Sequence, residues 1–309
     1  SDNFDFQDAY HTIETTGRLF VTPVSNSFSS ALNSSNIDLS NSLTGLTIGT
    51  NSNTSDININ SDIEIAGPIS IYGGDITVSG NITSTLSEED VLLKASEDIL
   101  LDTSKTITTN GGDVILWSDS DANNGGSISL GSAAALQTGG GSIFMAGGLD
   151  NGSNGGTAND NIPDGYARGV GVSGITTTGS FTINSDAGDI LLRGSSDTKD
   201  GILLSASSTG NLITTGGFID LDGFVDDGIL TSGEIQSGIR TVGGGTVTLD
   251  AGTGQINLVG SAPRQGLGFG VTDTPSSDNT KTLIKSSNTT ANAIKIKGSG
   301  GHGISFRGA

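Results

Sequence analysis

The sequence predicts an all-β protein, a single right-handed parallel β-helix (a solenoid) with three short strands per coil and loop insertions. The first observation is that apolar residues recur in pairs with one polar residue between their members. Strand side chains alternate faces, so each pair points to one side of a strand, whereas positions two apart in a helix lie on nearly opposite sides. The clearest pairs are Ile57 and Ile59, Ile63 and Ile65, Ile69 and Ile71, and Ile76 and Val78.

The second observation is the even spacing of these pairs. Successive pairs begin 6, 6 and 7 residues apart, and a further step of 6 residues reaches Ile82. With three strands per coil, Ile57 stacks on Ile76 and Ile63 on Ile82, both 19 residues apart. Stacked coils bury apolar rows that no single coil buries alone. At about 20 residues and ~4.8 Å per coil, the ladder predicts a rod on the order of 60 Å long.

The predicted division of the chain into segments follows from where the apolar pairs recur regularly. Residues 1–50 are predicted to form irregular first coils, and residues 51–309 the β-helix, with a Gly-, Asn- and Asp-rich surface loop inserted at 147–169. The ladder is expected to resume at Val170 and Val172. The final pair, Ile304 and Phe306, is followed by no polar cap, so we expect the native chain to continue.

Gly-Gly-Asp corners precede several strands, for example at residues 73–75 and 111–113. Glycine permits the positive φ of a tight corner, and aspartate hydrogen-bonds a turning backbone. We therefore expect these residues to shape the corners and not to form a site.

Composition and charge narrow the function classes. The 309 residues are 33% hydrophobic and 5% aromatic, which is low for an ordinary globular core but suits a thin aliphatic one. The absence of cysteine excludes disulfides and thiolate sites. A net charge of -20 argues against nucleic acid and anionic membranes as partners, and no apolar run approaches the length of a membrane span.

Several segments resemble very large bacterial cell-surface adhesins of the filamentous-haemagglutinin type, which carry Gly-Gly-Asp β-strand repeats. The resemblance covers roughly residues 17–170. The segments that carry it are Gly17 to Gly49, Ala66-Gly67-Pro68, Tyr72-Gly73-Gly74-Asp75-Ile76, Asn110-Gly111-Gly112-Asp113-Val114-Ile115, Ala146-Gly147-Gly148-Leu149-Asp150, Gly155-Gly156-Thr157-Ala158-Asn159-Asp160 and Ile162-Pro163-Asp164-Gly165-Tyr166-Ala167-Arg168.

The resemblance implies secretion, an extracellular position on the bacterial cell surface, and adhesion. The first hypothesis is therefore a non-catalytic structural and adhesive segment, a stiff rod that presents loops to a host, neighbouring-cell or substratum surface or glycan. An alternative is a subunit of an extracellular filament that stacks head to tail, because residues 281–309 carry +5 and residues 1–280 carry -25.

A second alternative is a polysaccharide-cleaving β-helix enzyme. Asp226-Asp227 and Gly301-His302-Gly303 resemble the paired-aspartate and Gly-His-Gly motifs of polygalacturonases. No Asn-Thr-Asp precedes them, no Arg-Ile-Lys follows His302, and the assumed repeat length separates the motifs by about four coils. We therefore expect no enzyme activity and no catalytic residues.

Outward-facing aromatic residues are the candidate ligand-binding surface. If Ile71, Leu116, Ile143 and Met145 face the core, alternation turns Tyr72, Trp117 and Phe144 outward, where rings stack on apolar sugar faces. Asp164 and Tyr166 of the loop complete the ligand-binding set. The alternative is that the loop at 147–169 folds back over the rings, because large exposed aromatics usually find cover.

The sequence suggests no cofactor apart from calcium. Closely spaced oxygen ligands on a turn suit this ion, and Asp220, Asp222, Asp226 and Asp227 surround two glycines. The spacing departs from an EF-hand loop, so a plain acidic corner is the alternative. Asp150 and Asp160, with Asp164, form a second and weaker candidate in the long loop.

Overall fold

A computed structural model describes residues 11–35, 37–123, 125–226, 235–270 and 279–306. Within these residues the chain forms a parallel β-helix, as the sequence predicts. Three long sheets run along it, and all neighbouring strands within them pair in parallel. The described part contains no helix that is long and apolar enough to cross a membrane.

Each sheet takes about one strand from every coil. Sheet 1 contains β2 (Arg18–Val21), β5 (Gly45–Ile48), β8 (Ile69–Gly73), β11 (Val91–Ala95), β14 (Val114–Ser118), β17 (Ile143–Gly147), β18 (Ala167–Gly169), β21 (Ile190–Ser196), β24 (Ile219–Val225), β27 (Ile256–Ser261) and β30 (Ile294–Ser299). Sheet 2 contains β3 (Leu32–Asn33), β6 (Ile57–Ile59), β9 (Ile76–Val78), β12 (Ile99–Leu101), β15 (Ile128–Leu130), β19 (Ile175–Thr177), β22 (Ile202–Ser205), β25 (Ser237–Val242), β28 (Gln265–Phe269) and β31 (His302–Phe306). Sheet 3 contains β7 (Ile63–Ile65), β10 (Ile82–Ser87), β13 (Thr106–Asn110), β16 (Ala134–Gln137), β20 (Phe181–Asp186), β23 (Thr209–Thr214), β26 (Thr246–Asp250) and β29 (Lys281–Lys285). A separate pair joins β1 (His11–Ile13) to β4 (Ile37–Leu39).

The predicted stacking of the first regular coils is confirmed. Ile57 pairs with Ile76 and Ile63 with Ile82, each 19 residues on. Later coils are longer, since Asp220 and Asn257, which are adjacent in register, lie 37 residues apart. The rod is therefore shorter than the predicted 60 Å: ten strands on the main path of sheet 1 make nine steps, or about 43 Å at ~4.8 Å each.

The core is a stack of aliphatic rows. Ile76, Ile99 and Ile128 occupy the same position in successive strands of sheet 2, and each is almost completely buried. Similar rows line the inner faces of the other two sheets and belong to one continuous cluster. Each fully buried side chain of this size contributes roughly 1.5–3 kcal/mol, so the three sheets hold each other together through a narrow interior.

Aspartates at the corners bond to the next coil and not to their own turn, which corrects the sequence interpretation. The backbone N–H of Asp98 donates to Asp75 Oδ1 at 3.0 Å, and that of Asp75 donates to Asp56 Oδ1 at 3.1 Å. A second column begins at Asp90 and Asp113 before the strands of sheet 1. We call these columns the aspartate ladders. They satisfy the first N–H group of a strand with an oxygen from the coil before it.

Close contact between neighbouring coils is a second reason, besides positive φ, for glycine at these corners. A Cβ on Gly141 would lie 2.1 Å from the carbonyl oxygen of Gly112, and one on Gly217 would lie 2.0 Å from that of Gly188. Neither Gly141 nor Gly217 has a positive φ. The coils approach so closely at this column that only a residue without a side chain fits.

The long insertion leaves sheet 1 after β17 and returns to it through β18. It contains one short 3₁₀ turn, Ser153–Gly155. β18 pairs with β21 in parallel, with Ala167 opposite Gly194. The expectation that Val170 and Val172 resume the buried ladder is wrong: both side chains are exposed, because the chain bends away after β18. The next buried strand is β19.

Candidate functional site

The outer face of sheet 1 collects the candidate ligand-binding residues and two of the candidate calcium ligands. Tyr72 lies on β8, Trp117 on β14 and Phe144 on β17, and each alternates with core residues. Asp220 and Asp222 face the same way from β24. The inserted loop, which carries Asp164 and Tyr166, lies over part of this face, so the predicted ligand residues and the two calcium candidates Asp220 and Asp222 share one surface.

Trp117 is covered, which corrects the prediction that it forms part of an exposed binding surface. Its Nε1–H donates to the carbonyl oxygen of Gly148 at 2.7 Å, and only 4% of the residue is exposed. On the other side, the Lys94 ammonium lies 3.6 Å from the centre of the indole ring. The alternative reading of the sequence, in which the loop folds back over the rings, therefore holds for Trp117.

Asp164, a predicted ligand-binding residue, is only 1% exposed and organises the loop from inside. Its Oδ2 accepts the backbone N–H groups of Asn151 at 2.8 Å and Gly152 at 2.5 Å. Its carbonyl oxygen accepts a bond of 3.1 Å from Arg193, which reaches up from β21. Arg193 also donates to the carbonyl of Asn154 at 3.0 Å, so this one side chain pins two points of the loop.

Tyr166 fastens the returning end of the loop to β24. Its hydroxyl donates to Asp222 Oδ2 at 2.8 Å, and its ring meets Phe224 edge to face at 5.6 Å between centroids. Burial, together with the bond to Asp222, raises the pKa of the Tyr166 phenol. Burial also raises the pKa of Asp222, while the bond from Tyr166 lowers it. The loop and the sheet therefore form one fixed surface.

Two open regions remain on this face. A cleft of about 290 Å³ lies beside Tyr72 and is lined by Lys94, Asp121 and the turn at 50–54. Burial lowers the pKa of the Lys94 ammonium, and Asp150 opposes that shift. The cleft carries both a cation and an anion among hydroxyl and amide groups.

The larger region is a groove of about 450 Å³ that crosses the strands from β17 to β30. Its floor is a row of outward residues in adjacent register, here called the groove row: Phe144, Leu191, Asp220, Asn257 and Lys295. Phe218 stands at one side with 51% of its surface exposed. Its backbone N–H donates to Asp189 Oδ1 at 2.7 Å, so an aspartate ladder fixes the main chain from which the ring extends.

The aspartates proposed for calcium have separate partners. Asp220 accepts a bond of 2.7 Å from Asn257, Asp222 accepts one from Tyr166, and Asp226 forms an ion pair with Arg168. Asp227 lies outside the described residues. In the described ranges no three His, Cys, Asp or Glu side chains form a group that could hold a metal ion. Calcium at all four positions stays a prediction.

The two fragments that resemble polygalacturonase motifs lie on different sheets. Asp226 follows β24 of sheet 1, and His302 begins β31 of sheet 2. In sheet 1, β30 lies two coils beyond β24, and β30 is the strand that directly precedes β31 in the chain. The two motifs are therefore separated by two coils and not four. The later coils are simply longer than the repeat assumed from the sequence.

Sequence reasoning missed Lys94, Leu191 and Phe218. A signal was present, because alternation breaks down in Val114–Ser118 and in Ile190-Leu191-Leu192, where apolar residues follow one another. An apolar residue on the outward side of a strand indicates either a cover, as over Trp117, or an apolar surface such as the groove floor at Leu191. Those two breaks mark where the loop and the groove lie.

No protein-family model matches the chain, and neither a curated protein nor a solved structure shows significant similarity to it. Its function is therefore argued from its own fold and surface.

Proposed function

We propose that the chain is a non-catalytic attachment segment of a secreted bacterial surface protein. In this role the β-helix is a stiff rod, and the outer face of sheet 1 is the surface presented to a host cell, a neighbouring cell or a substratum. The filament subunit and the polysaccharide-cleaving enzyme stay predictions without a specific observation in their favour.

The observation that supports the proposal is the contrast between a uniform rod and one elaborated side. Three sheets bond every coil to the next around one core, an arrangement that resists bending. Among the described residues, sheet 1 carries an inserted loop pinned by Arg193 and Tyr166, which lies beside a groove with a half-exposed aromatic ring, Phe218. Fixed loops on a rigid scaffold are the usual location of binding residues.

The experiment is a bead-adhesion assay. Beads carrying the folded chain are compared, on bacterial cells, animal cells and glass, with beads carrying the same chain after thermal unfolding. A second control carries an unrelated acidic protein of equal net charge. We expect folded-chain beads to attach at least several-fold more often than either control to one of these surfaces. Equal attachment by all three preparations on every surface would reject the attachment role.

A further inference from the structure

The groove on sheet 1 has the dimensions of a site for an elongated ligand. The groove row extends over five strands, and four steps of ~4.8 Å give it a length of about 19 Å. A volume of about 450 Å³ lies within the range of ligand pockets, which are mostly apolar with a few placed polar groups. The long axis runs across the strands and along the rod.

The lining combines apolar rings with planar polar groups. Phe144, Leu191 and Phe218 provide apolar contact at one end, and Gln255 and Asn292 provide amides. Asn257 adds only the Nδ2 of its amide, which also donates to Asp220, because its Oδ1 is buried. Amides both donate and accept hydrogen bonds, as sugar hydroxyls do, and the C–H face of a sugar ring is apolar. This mixture matches a sugar chain, whose rings are apolar on their faces and polar around their edges.

The charges in the groove disfavour an anionic ligand. Two carboxylates, Asp189 and Asp220, face one ammonium, Lys295. One oxygen of each carboxylate already accepts a bond, from Phe218 N–H at 2.7 Å and from Asn257 Nδ2 at 2.7 Å respectively. The whole chain carries -20, so a polyanion is repelled before it reaches the groove.

A peptide fits the groove less well than a glycan. Peptides that bind sheets in extended form usually add to an open edge, where main-chain N–H and C=O groups are free. The groove lies on the face of sheet 1, where β17, β21, β24 and β27 are paired on both sides and β30, the last strand of the described sheet, is paired on one. A ligand on this face contacts side chains, and a glycan can bind through side-chain contacts without main-chain hydrogen bonds.

We propose that the groove formed by Phe144, Leu191, Phe218, Asp220 and Asn257 binds a neutral, linear oligosaccharide, with sugar rings against the apolar residues and hydroxyls on the carboxylate and amide. This assignment rests on the proposed attachment role and gives that role a class of ligand.

The test uses the folded chain and defined probes. Tetra- to hexasaccharides of the cello-, manno-, xylo- and chito- series are titrated calorimetrically, with oligogalacturonate and a heparin hexasaccharide as acidic probes. The variants are Phe218→Ala, which removes a half-exposed ring, and Asp220→Asn, which keeps an acceptor for Asn257. The matched control is Phe20→Ala, because Phe20 also lies on sheet 1 with 60% exposure but far from the groove.

We expect at least one neutral series to bind, Phe218→Ala to weaken that binding at least tenfold, and Phe20→Ala to leave it unchanged. Thermal unfolding should show that all variants remain folded. The proposal is overturned if no neutral series binds, if only the acidic probes bind, or if Phe218→Ala and Phe20→Ala have equal effects. Continued bead adhesion without neutral-glycan binding would reject the groove assignment and leave the attachment role standing.

Discussion

Asp113 offers a direct test of the aspartate ladders. Its Oδ1 accepts the backbone N–H of Ser142 at 2.7 Å, and its own N–H donates to Asp90 Oδ1 at 2.7 Å. Asp113→Ala leaves the Ser142 N–H without its acceptor, a loss of about 1–3 kcal/mol for a buried donor. Because this corner is only partly buried and water reaches it, we expect about 1–1.5 kcal/mol, the lower part of that range.

Asp113→Asn separates the hydrogen bond from the charge. Its amide oxygen can still accept the Ser142 N–H, while the negative charge disappears. Burial raises the pKa of Asp113, the bond from Ser142 N–H opposes that rise, and repulsion from Asp90 and Asp189 adds to it, so the pKa is raised overall and the ionised form is disfavoured. We therefore expect Asp113→Asn to stay within about 0.5 kcal/mol of the parent protein at pH 7, well below the loss expected for the alanine variant.

The measurement is urea unfolding followed by circular dichroism, with the slope of each transition checked for a common cooperative unit. The decisive comparison is between the two variants at pH 7. Equal losses for Asp113→Ala and Asp113→Asn would show that the charge, and not the inter-coil bond, is what matters. No loss for either variant would show that the ladder contributes nothing to stability.

Three further predictions concern the loop, the glycine column and pH. Trp117→Phe removes the hydrogen bond from the indole to the loop, which costs about 0.5–1.5 kcal/mol. Limited proteolysis within residues 148–166 should therefore become roughly two- to tenfold faster, and an unchanged rate would mean that other contacts hold the loop. Gly141→Ala should lower the free energy of unfolding, measured in urea, by about 1–3 kcal/mol, because the new Cβ would lie 2.1 Å from a carbonyl oxygen. The control Gly125→Ala should change it little, because no atom lies closer than 3.6 Å to its Cβ. Burial and neighbouring carboxylates raise the pKa of Asp75 above its usual 3.8, so between these two pKa values the folded state binds more protons than the unfolded state. The stability that this group contributes therefore falls as pH rises through that window. As the pH is lowered from 7 to 4, the unfolding midpoint of the parent should gain relative to that of Asp75→Asn, and parallel profiles would contradict this assignment.

The coil geometry could be predicted from the sequence, because alternation and a spacing of 19 residues are local properties of the chain. The stacking of Ile57 on Ile76 follows from them directly. The same alternation places Trp117 on the outer face but carries no information about what lies above it. Its cover comes from Gly148, whose position depends on how an irregular loop packs. Likewise, Phe218 lies beside the groove because β24 pairs with β21 in a register that puts Phe218 next to Asp189, and alternation within a strand does not reveal which strands pair.

The aspartate ladders also make the coils interchangeable. Asp75, Asp98 and Asp113 each offer an Oδ1 to the following coil, and the N–H of each takes an aspartate Oδ1 from the coil before. Deleting residues 91–113 would remove β11, β12 and β13 together, and Asp90 would then stand where Asp113 meets Ser142. Tandem duplication of the same stretch would insert one more rung of ~4.8 Å by the same exchange. The length of such a rod can thus change during evolution by whole coils, through deletion or duplication, while the aspartate bonds between coils are kept.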